Sequence, residues 1–431
     1  MNLSHLPASL RVAESPRAPT SPRWGRAFSV FAALANVDTS NAIWLIYLAA
    51  RGYSPLAIGL FEMLFHIAKL VTEIPTGVFA DLVGRRASLV ASCVFGVVSA
   101  LLFLHPTSVM VALAFACSGI SWAFKGGAQE AVIWTLAREG LDAEASSDAV
   151  AKQYSRLYSR FLVIMLIAEA LGAGASGFLL RWSVAAPFIL RAVGVALAIG
   201  PLLLMPTLRP ERAVASADVS ERLHPLAHVR AGLAAAWRSP LLLGLLLLSA
   251  LEGTVFTTSN YYTQLYLQGI GYTAAAIGVI FGVGSVLDFL YTGAAPRIIA
   301  RMRQRWLIPT LVAGVALGLL LMSGSQPIVG LVGFLLIFRA SDAMFVPAIS
   351  TGINARAPEA QRATVLSLET GLFSAAMIAL FPLFGLGLSH YTYQQAYLGV
   401  GLGLLLGAAG IGALVWALRR WRAARRVVKA V

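Results

Sequence analysis

Charge is scarce in this chain. Only 12% of its 431 residues are Asp, Glu, Lys or Arg, about half the share of an ordinary soluble protein. A soluble fold of this length would lack the polar surface it needs. Acids are scarcer than bases, 19 against 33. There are two cysteines, Cys93 and Cys117, both inside apolar runs, so no disulfide is expected. The six histidines and two cysteines show no ligand spacing, so no metal site is expected. The Gly-x-x-x-x-Gly-Lys-Ser/Thr phosphate loop is absent, which argues against direct use of ATP. No Ser, His and acid stand in a triad-like context. An enzyme is therefore not expected, and neither is a cofactor. Short alternating strands are missing too, which excludes a membrane barrel.

What the chain has instead is apolar length. Hydrophobic residues make up 58% of it, and the mean hydropathy is +0.77. Runs of about 20 apolar residues are what a bilayer requires of a helix. Twelve such spans can be drawn, at 28–50, 55–79, 88–105, 109–136, 157–180, 185–206, 240–266, 273–297, 306–323, 327–349, 364–388 and 395–418. The polar residues Thr257 to Gln264 and the Gly/Pro content around Pro382 predict interruptions in spans seven and eleven. Residues 1–27 hold Pro7, Pro16, Pro19 and Pro22 and read as a polar tail, not a signal peptide. The expected fold is an all-α membrane protein with twelve transmembrane helices in two pseudo-symmetric six-helix bundles. The bundles are 28–206 and 240–418, joined by a linker at 207–239 and followed by a basic tail at 419–431.

The net charge of +14 suggests nucleic acid at first sight, but no aromatic-interleaved basic fold accompanies it. Topology accounts for it better. Of the 33 Lys and Arg, 27 fall in the tails, loops and adjoining span ends of one side, and only Arg51 and Arg181 on the other. Lys69, Lys125, Arg191 and Arg339 lie within spans. Both termini and the linker are thus expected to be cytoplasmic, in a multi-pass protein of the cell membrane. The tail Arg-Arg-Trp-Arg-Ala-Ala-Arg-Arg would also touch anionic lipid. No nucleic-acid partner is expected, and a monomer is.

Ionisable groups inside the spans are few and patterned. On a helix turning about 100° per residue, Glu62, His66, Lys69 and Glu73 fall within an arc of about 60°. A charge at mid-membrane costs about 2.5–3.5 kcal/mol or more. The stripe must therefore face protein or a wet cavity; it is either a self-compensated glue between helices or a cavity wall. Asp38 lies in a polar patch with Asn36, Thr39, Ser40 and Asn41 and has no base within a helical turn. Other intramembrane acids are Glu130, Glu169, Glu252, Asp288, Asp342 and Glu369. Arg339 and Asp342, three apart, are expected to neutralise each other. Glu369, near the start of its helix, suits the dipole there. Candidates for proton coupling are Asp38, Glu62, Glu130, Glu252 and Asp288. Candidates for a substrate cavity are Asn41, Trp44, His66, Lys69, Trp122, Tyr261 and Tyr262.

Gly77 to Arg86 reads Gly-x-x-x-Asp-x-x-Gly-Arg-Arg at the end of span two. It resembles the signature loop of the major facilitator superfamily, which joins the second and third helices. The flanking Glu73-Ile-Pro-Thr-Gly77 and Arg362-Ala-Thr-Val-Leu-Ser367 are similar to the drug:proton antiporter-like bacterial branch, with its macrolide-efflux-like permeases. The resemblance implies alternating access by two rocking bundles. It also implies a conformational latch made by Gly77, Asp81, Gly84, Arg85, Arg86 and Arg362. In it Asp81 accepts hydrogen bonds from the start of span eleven, and Arg85 and Arg86 anchor to lipid phosphate and carboxylates. The Gly-Pro pair of that branch's helix five is missing here: Gly172, Gly174 and Gly177 stand without proline and read as a packing hinge. The second-half copy of the loop, Gly293 to Arg305, lacks the aspartate.

Nine acids against four bases within spans favour protons and cationic or neutral substrates. The expectation is proton-coupled efflux of an amphipathic small molecule, with multidrug resistance as one outcome. An importer, or a metabolite or siderophore exporter, of the same fold remains open, as does another class, a lipid translocator or a non-transporting sensor. The charge count makes a topological prediction. Single cysteines in the turn 104–107 and in the segment 207–239 should be modified from opposite faces of intact cells. Labelling of both from outside by an impermeant maleimide would overturn the span assignment.

Overall fold

The computed structural model describes residues 22–141, 146–205, 234, 236–358 and 361–430. The expected tail as far as residue 21 and most of the expected linker lie outside them. The described residues are helical throughout. The first half comprises α1 (Pro22–Asn36), α2 (Trp44–Ala50), α3 (Pro55–Leu82), α4 (Arg85–Leu102), α5 (Ser108–Glu139), α6 (Ser147–Trp182) and α7 (Ala186–Leu203). The second comprises α8 (Pro240–Gly269), α9 (Ala274–Arg301), α10 (Gln304–Met322), α11 (Pro327–Val332), a π-helical turn (Gly333–Phe338), α12 (Arg339–Asn354), α13 (Arg362–Gly387) and α14 (Tyr393–Ala430). Among the described residues, eleven helical runs are long and apolar enough to cross a membrane. The twelfth crossing is α1 and α2 together.

The interruptions do not fall where the sequence predicts them. Span seven, α8, is one helix of 30 residues, in which the fully buried Thr258 donates to Met377 Sδ and the fully buried Thr263 donates to Ser259 O one turn back and meets Tyr397 Oη, so their hydroxyls are satisfied without breaking the helix. Span eleven, α13, runs through Pro382 without a break. The irregular crossings are the first and the tenth. The C-terminal tail also departs from expectation, since α14 continues as helix to Ala430.

The break in the first crossing, at residues 37–43, has a local cause. Asp38 Oδ1 accepts from Ser40 N at 3.0 Å, Ser40 Oγ at 2.7 Å and Asn41 N at 3.1 Å. That side chain offers the backbone an alternative to the helix. Freed backbone groups cannot stay unsatisfied in hydrocarbon. Arg191 of α7 donates to Ala35 O at 2.8 Å, and Gln264 of α8 donates to Asn41 O at 2.8 Å. Thr39 Oγ1 donates to Pro187 O at 2.6 Å. Gly172 of α6 lets the broken segment come close: a Cβ there would lie 2.6 Å from Asp38 N.

The halves meet along two seams. At one, α6 packs on α9 through small residues. A Cβ on Gly278 would sit 2.9 Å from Ala173 O, one on Gly282 3.0 Å from Ala170 O, and one on Gly177 would collide with the Ala274 carbonyl. Small residues permit such close packing of helices in lipid. At the other, α3 packs on α13, where a Cβ on Gly59 would lie 2.7 Å from Pro382 Cα. Tyr262 of α8 closes this seam by donating to Pro55 O at 2.9 Å.

Each of these contacts belongs to the ends of the helices remote from the termini. There one apolar core runs continuously from Trp44, Phe61 and Phe115 in the first half to Tyr262, Phe281 and Phe381 in the second. Near the termini the first half keeps a core of its own, built from Trp24, Phe28, Leu89, Ile133, Phe161 and Leu202. The structure is thus sealed at the face remote from the termini. Gly177→Leu should wedge this seal open. In the variant, an impermeant maleimide should reach a cysteine at position 45, where Leu45 is fully buried, at least tenfold faster than in the parent; unchanged reactivity would show that the α6–α9 contact does not hold the seal.

Candidate functional site

The seal is aromatic. Trp44 packs edge-on against Phe115 at 5.3 Å and Tyr261 at 5.4 Å and stacks on Phe381 at 6.4 Å between ring centres. Tyr262 lies 4.9 Å from Phe381. Trp44 and Tyr262, expected in a cavity wall, are instead buried in this plug. Tyr262 is committed to bonds that join the halves. Asn41 contributes its backbone carbonyl to the same junction. Tyr261 stands at the inner edge of the plug, within the electrostatic reach of Glu62, Glu169 and Asp38.

Glu169 and Asp38 belong to a band of charge that crosses from one half to the other. In the first half, Asp38 Oδ2 lies 3.4 Å from Arg191 Nε. The sequence shows no base within a turn of Asp38; its base comes from α7, 153 residues away in the chain, through the fold. Lys125 of α5 donates to Asn36 Oδ1 at 2.8 Å and lies over the Trp122 ring. In the second half, Arg339 donates to both carboxylate oxygens of Asp288 and, at 2.9 Å, to Asn260 Oδ1. This corrects the expected Arg339–Asp342 pairing. The π-helical turn ends at Phe338, and the altered pitch at Arg339 accompanies an ion pair with α9 rather than with the next turn of its own helix. Between the two pairs stands Glu169 of α6, acted on by Arg339 and Asp288 from one side and by Asp38 and Lys125 from the other. The Asp38 and Asp288 side chains keep 30% and 26% of their surface accessible, so the band borders open space.

The α3 stripe runs beside this band. Glu62 and His66 are buried, with His66 Nε2 3.6 Å from Glu62. The His66 ring meets Phe65 and, across the seam, Phe373 of α13, and its Nδ1 has no partner among the described residues. Lys69 and Glu73, one turn further on, are partly exposed and act on each other electrostatically. Glu130 does not join the band. It is exposed and acts on Tyr154 and Tyr158 of α6. Trp122 is 55% exposed. Glu369 accepts from Ser249 Oγ at 2.7 Å.

Glu252 of α8 is the most enclosed carboxylate among the described residues. It has no exposed surface, and neither carboxylate oxygen has a hydrogen-bond partner among those residues. Asp342 of α12 acts on it, and Asp342 in turn feels Asp288 and Arg339. Glu252, Asp342, Asp288 and Glu169 are thus each within the electrostatic reach of the next.

In the loop between α3 and α4, Gly84 adopts φ 119° and starts α4, a conformation that glycine alone takes without strain. Arg85 donates to Ala131 O at 3.0 Å and Thr135 Oγ1 at 2.8 Å, and it lies beside Asp81. Arg86 donates to Met205 O at 2.7 Å. These arginines bind main-chain and hydroxyl groups of the first half, with Arg85 also in the field of the Asp81 carboxylate. A Cβ on Gly77 would meet nothing within 4 Å, and Arg362 is exposed.

The fold and the loop lead to one family. Residues 26–382 match the sequence model of the Major Facilitator Superfamily. The chain belongs to the major facilitator superfamily. This superfamily protein is a secondary transporter, not an enzyme. It is 23% identical over 377 residues to an uncharacterized MFS-type transporter, YxaM, of Bacillus subtilis (strain 168), covering 85% of this chain and 89% of that one. Its fold is similar to that of a point mutant of the nucleoside transporter NupG, with a TM-score of 0.76, 13% identity and coverage of 91% and 99% of the two chains. The inward-open xylose transporter XylE from E. coli also shares the fold, with a TM-score of 0.63, 16% identity and coverage of 91% and 94%.

The sequence puts Asp38, Glu62, Glu130, Glu252 and Asp288 forward as coupling candidates and does not single out Glu169 or Arg191. The available signal for Glu169 was its place one turn before Gly172, on the face that must meet the other half. The ion pair makes a stability prediction. Arg339→Ala leaves Asp288 without its base and should cost about 3 kcal/mol, as breaking buried pairs does. Arg339→Met with Asp288→Asn should recover most of that loss. Thermal unfolding in detergent, followed by tryptophan fluorescence, checks both.

Proposed function

We propose that this transporter exports a cationic or neutral amphipathic small molecule across the cytoplasmic membrane in exchange for protons. The observation that carries the proton half of this reading is Glu252. An ionised carboxylate without a partner is costly in an apolar interior, so a group in this place is suited to take up and release a proton as its surroundings change. Asp342 beside it, and the Asp288–Arg339 pair beyond, give that proton a route of neighbouring titratable groups toward Glu169. Arrival of a proton at one carboxylate weakens the hold on Arg339 or on a bound cation. A coupling step needs such a link.

The substrate half rests on composition and placement. Acids exceed bases among the intramembrane groups. Trp44, Tyr261 and Phe381 cap the charged band with apolar, adaptable surface. Direction rests on the charge count. If the basic side is cytoplasmic, the sealed face is the outer one, and the protein stands open to the compartment from which an exporter loads. A proton-coupled importer passes through the same state after release, and this is the second reading. Division of the chain into 28–206 and 240–418 as two rocking units belongs to the same proposal, as does the loop from Gly77 to Arg86 acting with Arg362 as the latch of the opposite conformation.

The test is flux in proteoliposomes under an imposed pH gradient, with ethidium as the cationic probe and an anionic dye as control. Ethidium flux should follow the gradient. Glu252→Gln should abolish that dependence while leaving ethidium binding within about threefold. Flux driven equally well by a sodium gradient, or a gradient response unchanged in Glu252→Gln, would refute proton coupling through this group.

A further inference from the structure

A second site lies at the termini end of the first half, away from the charged band. Gly25, Arg26 and Ser29 of α1, Leu136 of α5, and Leu157, Arg160 and Phe161 of α6 surround a cavity of about 380 Å³. That volume falls in the roughly 300–1,000 Å³ range of small-molecule sites. Its floor is apolar and rigid: Phe161 is 2% exposed and packs edge-on against Phe28 at 4.7 Å. Its rim carries two guanidinium groups. Arg26 and Arg160 are exposed, and neither has a hydrogen-bond or ion-pair partner among the described residues. Among the described residues, no carboxylate lines the cavity. Two free arginines over an apolar floor make an unmatched receptor for an oxyanion, since guanidinium forks fit phosphate oxygens in pairs.

Its depth indicates where the oxyanion comes from. Arg160 lies three residues inside the fifth apolar span, at the level where chain passes from water into hydrocarbon. Lys152, Arg156 and Arg160 follow one another at intervals of four on α6, within an arc of about 80°. All three are exposed, so a basic track leads from the aqueous end of α6 to the cavity. Leu136, Leu157 and Phe161 offer the glycerol and upper acyl region an apolar wall, which a free inorganic ion would leave unused. Basic pockets between helices on the cytoplasmic side are suited to anionic headgroups.

The geometry points to a binding site for the phosphate of an anionic phospholipid, held between Arg26 and Arg160 at the junction of α1, α5 and α6. The site joins the first crossing to α6, the helix that forms the glycine seam with α9. A lipid there would brace the first half at the end where the two halves part. It takes no part in moving substrate or protons, so it stands whether or not the export reading does.

The test uses the full-length protein in detergent, with native mass spectrometry for bound lipid and thermal unfolding for its effect. The probes are phosphatidylglycerol, phosphatidylcholine and inorganic phosphate. Phosphatidylglycerol should be retained roughly tenfold to thirtyfold better than phosphatidylcholine, the selectivity that two near-surface arginines supply, and should raise the melting temperature. Arg26→Ala with Arg160→Ala should reduce phosphatidylglycerol to the level of phosphatidylcholine. Arg419→Ala with Arg420→Ala, a loss of equal charge on α14, should keep the preference. Both Arg26 and Arg160 are exposed, so the double variant is expected to fold, and its melting temperature without added lipid checks that. Equal retention of the two lipids, or a preference that survives the double variant, overturns the site. Inorganic phosphate that reproduces the stabilisation and displaces phosphatidylglycerol overturns the lipid assignment in favour of a free anion.

Discussion

Backbone groups cannot go unpaired in hydrocarbon, and this constraint organises the first half of the transporter. The first crossing comes apart at residues 37–43, and Arg191 makes that possible. Its guanidinium satisfies the carbonyl of Ala35 and neutralises Asp38 in one stroke. Asp38 in turn fixes the turn by accepting from Ser40 and Asn41. Neither partner is stable in that place alone. Because the break exposes the carbonyl of Asn41 to Gln264, the same arrangement ties the first half to α8 of the second. Structural satisfaction and contact between the halves thus share one set of atoms.

The second half solves a similar problem with a different device. Its tenth crossing keeps its hydrogen bonds but changes pitch over Gly333–Phe338 before delivering Arg339 to Asp288 and Asn260. The two ion pairs face the middle of the protein from opposite halves, and Glu169 lies in the field of both. Relative motion of the halves therefore changes the charge environment of Glu169 directly, without any intermediate loop. Above this band Trp44, Tyr261 and Phe381 pack against one another.

Much of this was legible in the sequence. The twelve crossings follow from hydropathy and the strict alternation of basic loops, because a bilayer imposes both length and sidedness on every span. The stripe of Glu62, His66, Lys69 and Glu73 could be read from a 100° rotation, and Gly177 could be read as a packing residue. Partner choice across spans could not. Arg339 has an acid three residues away at Asp342, and local spacing favours that pair, yet the π-helical turn accompanies a bond to Asp288, 51 residues back. The polar residues of α8 suggested a broken helix, while burial between neighbours turned them into packing groups. Trp44 and Tyr262 looked like cavity wall because aromatic residues line cavities and seals alike; only the closeness of Pro55 and Phe381 distinguishes the two.

The last helix has a mechanical consequence. At about 1.5 Å per residue, the 38 residues of α14 extend roughly 57 Å, against a hydrocarbon thickness of about 30 Å. The overhang does not hang free. Arg422 donates to the backbone carbonyls of Trp237 and Arg238, just ahead of α8. The opening and closing helices of the second half are thereby clamped together at their base. Trp237 and Arg238 are thereby tied to α14 as well as to the start of α8, so the two helices that bound the second half share one anchor at that end.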